Sequence, residues 1–248
     1  MTSRRYDTLD AARGLAMVWM TVFHFCFDLN NARIIHQDFH HDPFWTWQRT
    51  CILSLFLLCA GAGQAIAYTQ RQSWRQFGYR WLQIAIAAGL VSLGSWFMFP
   101  GSYIYFGVLH GMAVMLLIVR LMAPLGAWCA VAGALVIAIH LVAGPAISAS
   151  ASGLFGLDFD ARSLNWLGLI TRLPVTQDYV PLFPWLGVMM LGFAGMHVLL
   201  RGPRNTASQA QRPWLQRSLA RLGRYSLSYY LLHQPVLLGL LWLAGIRI

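Results

Sequence analysis

Apolar residues run along this chain in blocks of roughly 20, the length needed to cross the hydrocarbon core of a bilayer, separated by short polar breaks. The pattern predicts about seven transmembrane spans, over 9–30, 46–68, 80–99, 104–122, 125–143, 180–200 and 225–245. The third and fourth blocks meet at Pro100-Gly101-Ser102 and the fourth and fifth at Ala123-Pro124, both turn signals. Two connections are long. Residues 31–45 carry His36, Asp38, His40, His41 and Asp42, and residues 144–179 open with the small-residue run GPAISASASG. Within the second, Ser163 to Leu173 is expected to form a short interfacial helix. No internal repeat is evident. The expected fold is therefore all-α, a polytopic transmembrane helix bundle forming one domain over residues 1–248.

Composition agrees with that reading. Hydrophobic residues make up 58% of the chain and charged residues only 10%, against about 25% charged in soluble domains, and the mean hydropathy is +0.54. A net charge of +10 would point to nucleic acid in a soluble protein. In a membrane protein it reports topology instead, because cytoplasmic loops collect arginine, so no nucleic-acid partner is expected. With the N-terminus inside, Arg4, Arg5, Arg71, Arg75, Arg80, Arg120, Arg201, Arg204, Arg212, Arg217, Arg221 and Arg224 fall on the cytoplasmic side. Only Arg33, Arg49, Arg162, Arg172 and Arg247 fall on the other. The bias predicts a cytoplasmic N-terminus. The opening MTSRRYDTLD has arginines but no small-residue cleavage site, so the first block reads as a retained span.

The first span also carries ionisable groups: Asp10, Arg13, His24 and Asp28. Each such group at membrane depth costs about 2.5–3.5 kcal/mol on insertion scales, which points to a polar site built for chemistry or transport. His24 and Asp28 stand at i and i+4 on one helix face, where a carboxylate can hold an imidazole as a base. Histidine is the side chain most easily poised between acid and base near neutral pH. His24 lies roughly 9 Å inside the outer end of its span and His110 roughly 10 Å inside that of the fourth. The two imidazoles are thus expected to share a depth and a pocket, with Arg49 and Trp185 at its outer mouth. Asp10 and Arg13 read as an ion pair at the inner end. His233, followed by Gln234 and Pro235, sits in a span that proline should kink and make locally polar.

Other polar and small residues read more simply. His140 and His197 are taken as structural or interfacial. Gly61, Gly63, Gly89 and Gly94 are expected at close helix contacts, and Trp45, Trp47, Trp74 and Trp81 in interfacial belts. Neither His-x-x-x-His nor a carboxylate cluster occurs within a span, so no metal is expected. Polar residues that only glue helices together remain an alternative for the whole set.

The segment RRYDTLDAARGLAMVWMTVFHFCFDL resembles the start of the heparan-α-glucosaminide N-acetyltransferase-like family of membrane proteins. The segments FWTWQRTCILSLFLLCAGAG, IYFGVLHGM, PLFPWLGVMMLGFAGM and LGRYSLSYYLLHQPVLLG extend the resemblance over nearly the whole chain in order. The LD-x-x-RG…H pattern is also similar to the wider group of membrane acyltransferases. The resemblance implies transfer of an acetyl group from acetyl-CoA to a sugar-like acceptor, and it marks Asp10, Arg13, His24, Asp28, His110 and His233. Its best-studied branch uses a histidine of the first outer loop, where this chain offers His36. The phosphates of CoA would then dock on the arginine-rich face, at Arg13, Arg71, Arg75, Arg80 and the 201–224 arginines. The expected setting is a bacterial inner membrane, as a multi-pass protein, and a homo-oligomer is compatible with it. The main alternative is a proton-coupled transporter relaying protons through the same histidines and aspartates, and a helper subunit is the third.

Overall fold

The computed structural model describes residues 6–202 and 213–246. Arg4, Arg5, Arg204, Arg212 and Arg247, part of the arginine pattern, lie outside the described residues. The described residues form α1 (Asp7–Asn31), α2 (Pro43–Thr69), α3 (Trp74–Met98), α4 (Val108–Met122), α5 (Cys129–Phe155), α6 (Trp185–Arg201), α7 (Trp214–Arg224) and α8 (Ser226–Leu243), with no strand among them. Three stretches are long and apolar enough to cross a membrane: Pro43–Thr69, Trp74–Met98 and Val108–Ser148; Trp185–Arg201 is a shorter apolar helix. The fold is an all-helical membrane bundle.

Each of the seven predicted spans corresponds to a helix, but several ends move for identifiable reasons. The fourth starts at Val108 rather than 104, because residues 102–107 are tied to the segment before α6. Gln177 N–H donates to the Ser102 carbonyl at 2.9 Å, Val180 N–H to the Phe106 carbonyl at 3.4 Å, and the Asp178 carboxylate accepts the Val108 N–H at 2.7 Å. The sixth starts at Trp185 rather than 180, since Pro181 and Pro184 precede it and proline disfavours helix in the residue before it. The fifth runs on to Phe155 through Pro145, so the small-residue run is largely helical rather than loop. Between α4 and α5 the chain turns through a 3-10 segment, Ala123–Trp128, where Gly126 takes φ 57°, a conformation glycine adopts at little cost.

Two expectations on local structure are corrected. The interfacial helix expected over Ser163 to Leu173 reduces to the 3-10 turn Asn165–Leu167. The arginine-rich stretch expected as a cytoplasmic loop is instead the helix α7. Its spacing puts Leu219, Ala220 and Gly223 on one face and Arg217, Ser218 and Arg221 on the other, as a 3.6-residue repeat requires.

The chain divides into two compact units, residues 1–59 with 205–248 and residues 60–204, the division falling inside α2. In the first unit, α7 packs antiparallel along the start of α1. A methyl group added at Gly14 would collide with the Leu219 carbonyl, and one at Gly223 with the Asp10 carbonyl. Lipid supplies no hydrophobic drive between helices, so such backbone approach is what holds them. Met17, Met20 and Ile52 form a core nearby, covered by Trp19, Phe23, Phe56, Leu222, Tyr229 and Tyr230. Charges finish the N-terminal end of α1: Arg13 bonds Asp10 at 2.8 Å, as its spacing predicts, and Arg224 reaches Asp7 at 3.1 Å and Asp10 at 3.9 Å.

In the second unit, Gly61 abuts the Met189 backbone, whereas Gly89 and Gly94 face open space, correcting their expected role. Trp81 donates its indole N–H to the Ala113 carbonyl at 2.8 Å, tying α3 to α4. Arg120 is buried rather than a solvated topology marker. Its guanidinium donates to the Gln72 carbonyl and lies over the rings of Trp74 and Phe77, at 5.3 and 5.5 Å.

Candidate functional site

Late in α1 and near the middle of α8, both in the first unit, four polar side chains meet. The rings of His24 and His233 stand 5.2 Å apart between centroids, tilted by 58°. Gln234, the next residue on α8, donates its amide to both carboxylate oxygens of Asp28, at 2.8 and 3.0 Å. Asp28 is only 2% exposed. A buried carboxylate needs such partners, and the one it has is Gln234 rather than the expected His24.

The tautomer of His233 follows from its neighbours. Nδ1 lies 2.6 Å from the Tyr230 carbonyl, which can only accept, so Nδ1 carries the proton. Nε2 then holds a lone pair. It is buried and has no hydrogen-bond partner among the described residues, and the same is true of Gln234 Oε1. Such unsatisfied buried groups are rare and call for an explanation. Tyr229 braces the pair from below, its ring parallel to that of His233 (6.3 Å, 6°). Thr21 donates to the Met17 carbonyl at 2.9 Å, so the 2.7 Å contact between Tyr229 and Thr21 is donated by the tyrosine.

The loop between α1 and α2 packs its aromatic residues against α1. Phe39, 3% exposed, stacks on Trp45 at 4.0 Å and meets Phe23 and Phe27 edge-on at 5.6 and 5.4 Å. Trp45 is thus a core residue, while Trp47 and Trp74 are exposed. The loop is pinned further by Gln37 N–H on Asn30 Oδ1, at 2.7 Å. His36 is exposed, and His41 sits 3.0 Å from Asp38. The His41 backbone N–H, with those of His40 and the His41 ring, holds the Asp38 carboxyl below the usual carboxylate range.

The other predicted site residues have their own local surroundings. His110, in the second unit, has both nitrogens engaged: Nδ1 accepts the Gly107 N–H at 3.2 Å, leaving Nε2 to donate to Ser92 Oγ at 3.1 Å. Ser92 passes its own proton to the Ile104 carbonyl at 2.6 Å. This imidazole therefore closes the start of α4. Trp185 opens α6 half-buried, and Arg49 is an exposed residue of α2. Arg71, Arg75 and Arg80 are exposed around the α2–α3 turn, where Ser73 and Gln76 cap α3 reciprocally. Arg13 is occupied by Asp10. His197 is buried against Phe193, the rings stacked at 5.8 Å.

Sequence reasoning missed Gln234 as the partner of Asp28 and Tyr229 as a brace. The run His233-Gln234-Pro235 was the available signal, since two adjacent polar residues inside an apolar span call for partners on another helix. The family described as heparan-alpha-glucosaminide N-acetyltransferase, catalytic, matches residues 5–235. The chain belongs to this family. The matched region takes in His24, Asp28, His233 and Gln234 and ends one residue after Gln234. The family is one of acetyltransferases. No curated protein and no solved structure gives a significant match.

Proposed function

We propose that this protein moves an acetyl group from acetyl-CoA to a sugar-like acceptor, with the His24–His233 pair as the proton-handling centre. The observation that carries the reading is the buried, unpartnered Nε2 of His233 beside a second imidazole, in a chain of an acetyltransferase family. In this reading the acceptor's amine or hydroxyl proton passes to that lone pair as its heteroatom attacks the thioester carbonyl. The C–S bond then breaks, and the departing CoA thiolate takes the proton from the imidazolium. General-base assistance of this kind contributes about 10²–10⁴-fold in rate. An acetyl-histidine formed on the same nitrogen is the covalent variant of the scheme.

Asp28 and Gln234 hold α1 and α8 in register so that the two rings face one another. His110, whose nitrogens are taken up at the start of α4, serves as a positioning residue. Arg49 and Trp185 belong to the acceptor side, and Arg71, Arg75 and Arg80 to the face where the CoA phosphates approach. The seven-span arrangement with a cytoplasmic N-terminus, in a bacterial inner membrane, fits the arginine distribution.

The test is direct. Membranes holding the protein are incubated with radiolabelled acetyl-CoA, and the labelled product is identified. Label in a saccharide, lost in His233→Ala, is expected. Label nowhere, with acetyl-CoA also failing to raise the unfolding temperature of the purified protein, would falsify the enzyme reading and favour a proton relay.

A further inference from the structure

We propose that Arg162 holds the phosphate of a membrane glycerophospholipid whose acyl chains lie along the exposed face of α3. The site belongs to the second unit, where the connection between α5 and α6 meets the connection between α3 and α4, and it is independent of the acetyl-transfer reading. The guanidinium carbon of Arg162 stands 5.4 Å from the ring centres of both Tyr103 and Tyr105. These cation–π contacts hold the cation through its faces and leave its N–H edge open. Arg162 is exposed, and among the described residues no carboxylate lies within ion-pair distance of it. The two nearest along the chain are engaged locally: Asp160 bonds Thr171 and the Arg172 N–H, and Asp158 accepts the Asp160 N–H at 2.9 Å.

Depth selects the ligand. α3 is long and apolar enough to cross a membrane, and the chain after it folds back onto its last turns. The Ile104 N–H donates to Ser95 Oγ at 2.9 Å, and the Ile104 carbonyl accepts the Ser92 hydroxyl at 2.6 Å. Tyr103 and Tyr105, on either side of Ile104, are thereby held level with the C-terminal turns of that helix. Trp96, in the last turn, meets Tyr103 at 4.8 Å between ring centres. Arg162 is carried to the same level by its two tyrosines. Arginine among tryptophan and tyrosine rings at the end of a spanning helix is the chemistry of the membrane–water interface, the layer in which lipid phosphates lie. A guanidinium there meets phosphate oxygens in a bidentate fashion.

A second donor stands beside the first. Asn165, 1% exposed, donates its amide to Tyr105 Oη at 2.7 Å, and its backbone carbonyl accepts the Tyr179 hydroxyl at 2.6 Å. With its oxygen accepting from Asn165, the Tyr105 phenol keeps its own proton for an oxyanion. The turn is fixed by the Thr176 hydroxyl on the Tyr103 carbonyl and the Gln177 N–H on that of Ser102, both at 2.9 Å. Away from this end, Ile86, Leu90, Leu93 and Phe97 are each more than half exposed and recur on one face of α3. Half of a hydrocarbon core is about 15 Å, the rise of about ten helical residues, so this strip lines one leaflet. Gly89, where an added methyl would meet nothing within 4 Å, leaves a shallow place in it for a chain. A soluble carboxylate offers the same guanidinium an oxyanion; the depth of the site and the apolar strip favour the lipid, and the experiment separates the two.

The full chain is delipidated in a maltoside detergent, and binding of the first lipid is measured by native mass spectrometry. The probes are palmitoyl-oleoyl phosphatidylglycerol, phosphatidylcholine and the diacylglycerol with the same chains, which lacks the phosphate. Wild type should bind both phospholipids about tenfold or more tightly than the diacylglycerol, and Arg162→Gln should lose that advantage while Arg162→Lys keeps part of it. Tyr105→Phe, which keeps the ring and removes the hydroxyl, should weaken phospholipid by about threefold. Thermal unfolding checks the fold of each variant. Should Arg162→Gln fail to fold, Arg162→Lys and Tyr105→Phe carry the comparison, and wild-type affinity in both overturns the site. Equal binding of phospholipid and diacylglycerol by wild type overturns it as well, as does unchanged phospholipid affinity in folded Arg162→Gln. Galacturonate supplies the soluble arm: if it binds wild type and not Arg162→Gln, while phospholipid affinity is the same in both, the site takes a soluble acid and the lipid assignment falls.

Discussion

His24 on α1 and His233 on α8 face each other at 5.2 Å, the one place among the described residues where imidazoles from two helices come together this closely. Replacing either ring by alanine should lower acetyl transfer by about 10²–10⁴-fold, the usual contribution of a general base. The protein should still fold, because cavities at these positions border other aromatic rings. Initial rates with labelled acetyl-CoA decide it; a His233→Ala enzyme working at the wild-type rate removes His233 from the chemistry.

Asp28 depends on Gln234. Gln234→Leu would leave a 2%-exposed carboxylate without the amide that bonds both of its oxygens. A hydrogen bond to a charged group is worth about 1.5–3 kcal/mol, so a loss of stability of that order is expected by denaturant unfolding in detergent. Asp28→Asn with Gln234 retained should lose less, since the pair can still bond through one oxygen. Equal losses in the two variants would mean that the charge of Asp28 plays no part.

Gly14 has no room for a side chain. Gly14→Val would push its Cβ into the Leu219 carbonyl, a backbone atom that cannot rotate away. Over-packing costs about 1–3 kcal/mol when side chains can yield, and this contact should fall at or above the top of that range. The expected signature is detachment of α7, read as faster amide exchange over residues 214–224. Gly89→Val, facing open space, is the control and should change little.

Asp160 should confer acid resistance on its loop. Its carboxylate accepts the Thr171 hydroxyl at 2.5 Å, the Thr171 N–H at 2.8 Å and the Arg172 N–H at 3.2 Å. These bonds, the Thr171 hydroxyl foremost, hold the carboxyl below the usual carboxylate range. A carboxyl depressed in the folded state contributes stability above its unfolded value, and that contribution is lost as pH falls through the folded value. Protection of the Thr171 and Arg172 amides should therefore persist at the ordinary carboxylate pKa and vanish only below it. In Asp160→Asn the protection should be weak at every pH.

Much of the fold could be read from hydropathy. All seven apolar blocks became helices, Gly126 and Pro124 broke the chain where a turn was expected, and Asp10 found Arg13 at three residues' distance. These are local properties: the length of an apolar run, the φ of a glycine, the reach of a side chain to the next turn. α7 escaped because a short helix with four polar and basic positions on one side reads as a loop until the surface its other face covers is known.

Partner choice across helices was not legible. His24 and Asp28 share a face at i and i+4, and that spacing alone made them a pair. Yet in the folded chain the carboxylate turns to Gln234 and the imidazole to His233, two residues more than 200 positions away. Periodicity says which side chains point the same way along one helix. It carries no information on which neighbour is laid against that face, nor on the vertical offset between them. Those were decided by the backbone contact at Gly14 and Gly223, which seats α7 on α1 and so sets where α8 begins, and by the need of a buried carboxylate for the nearest donor.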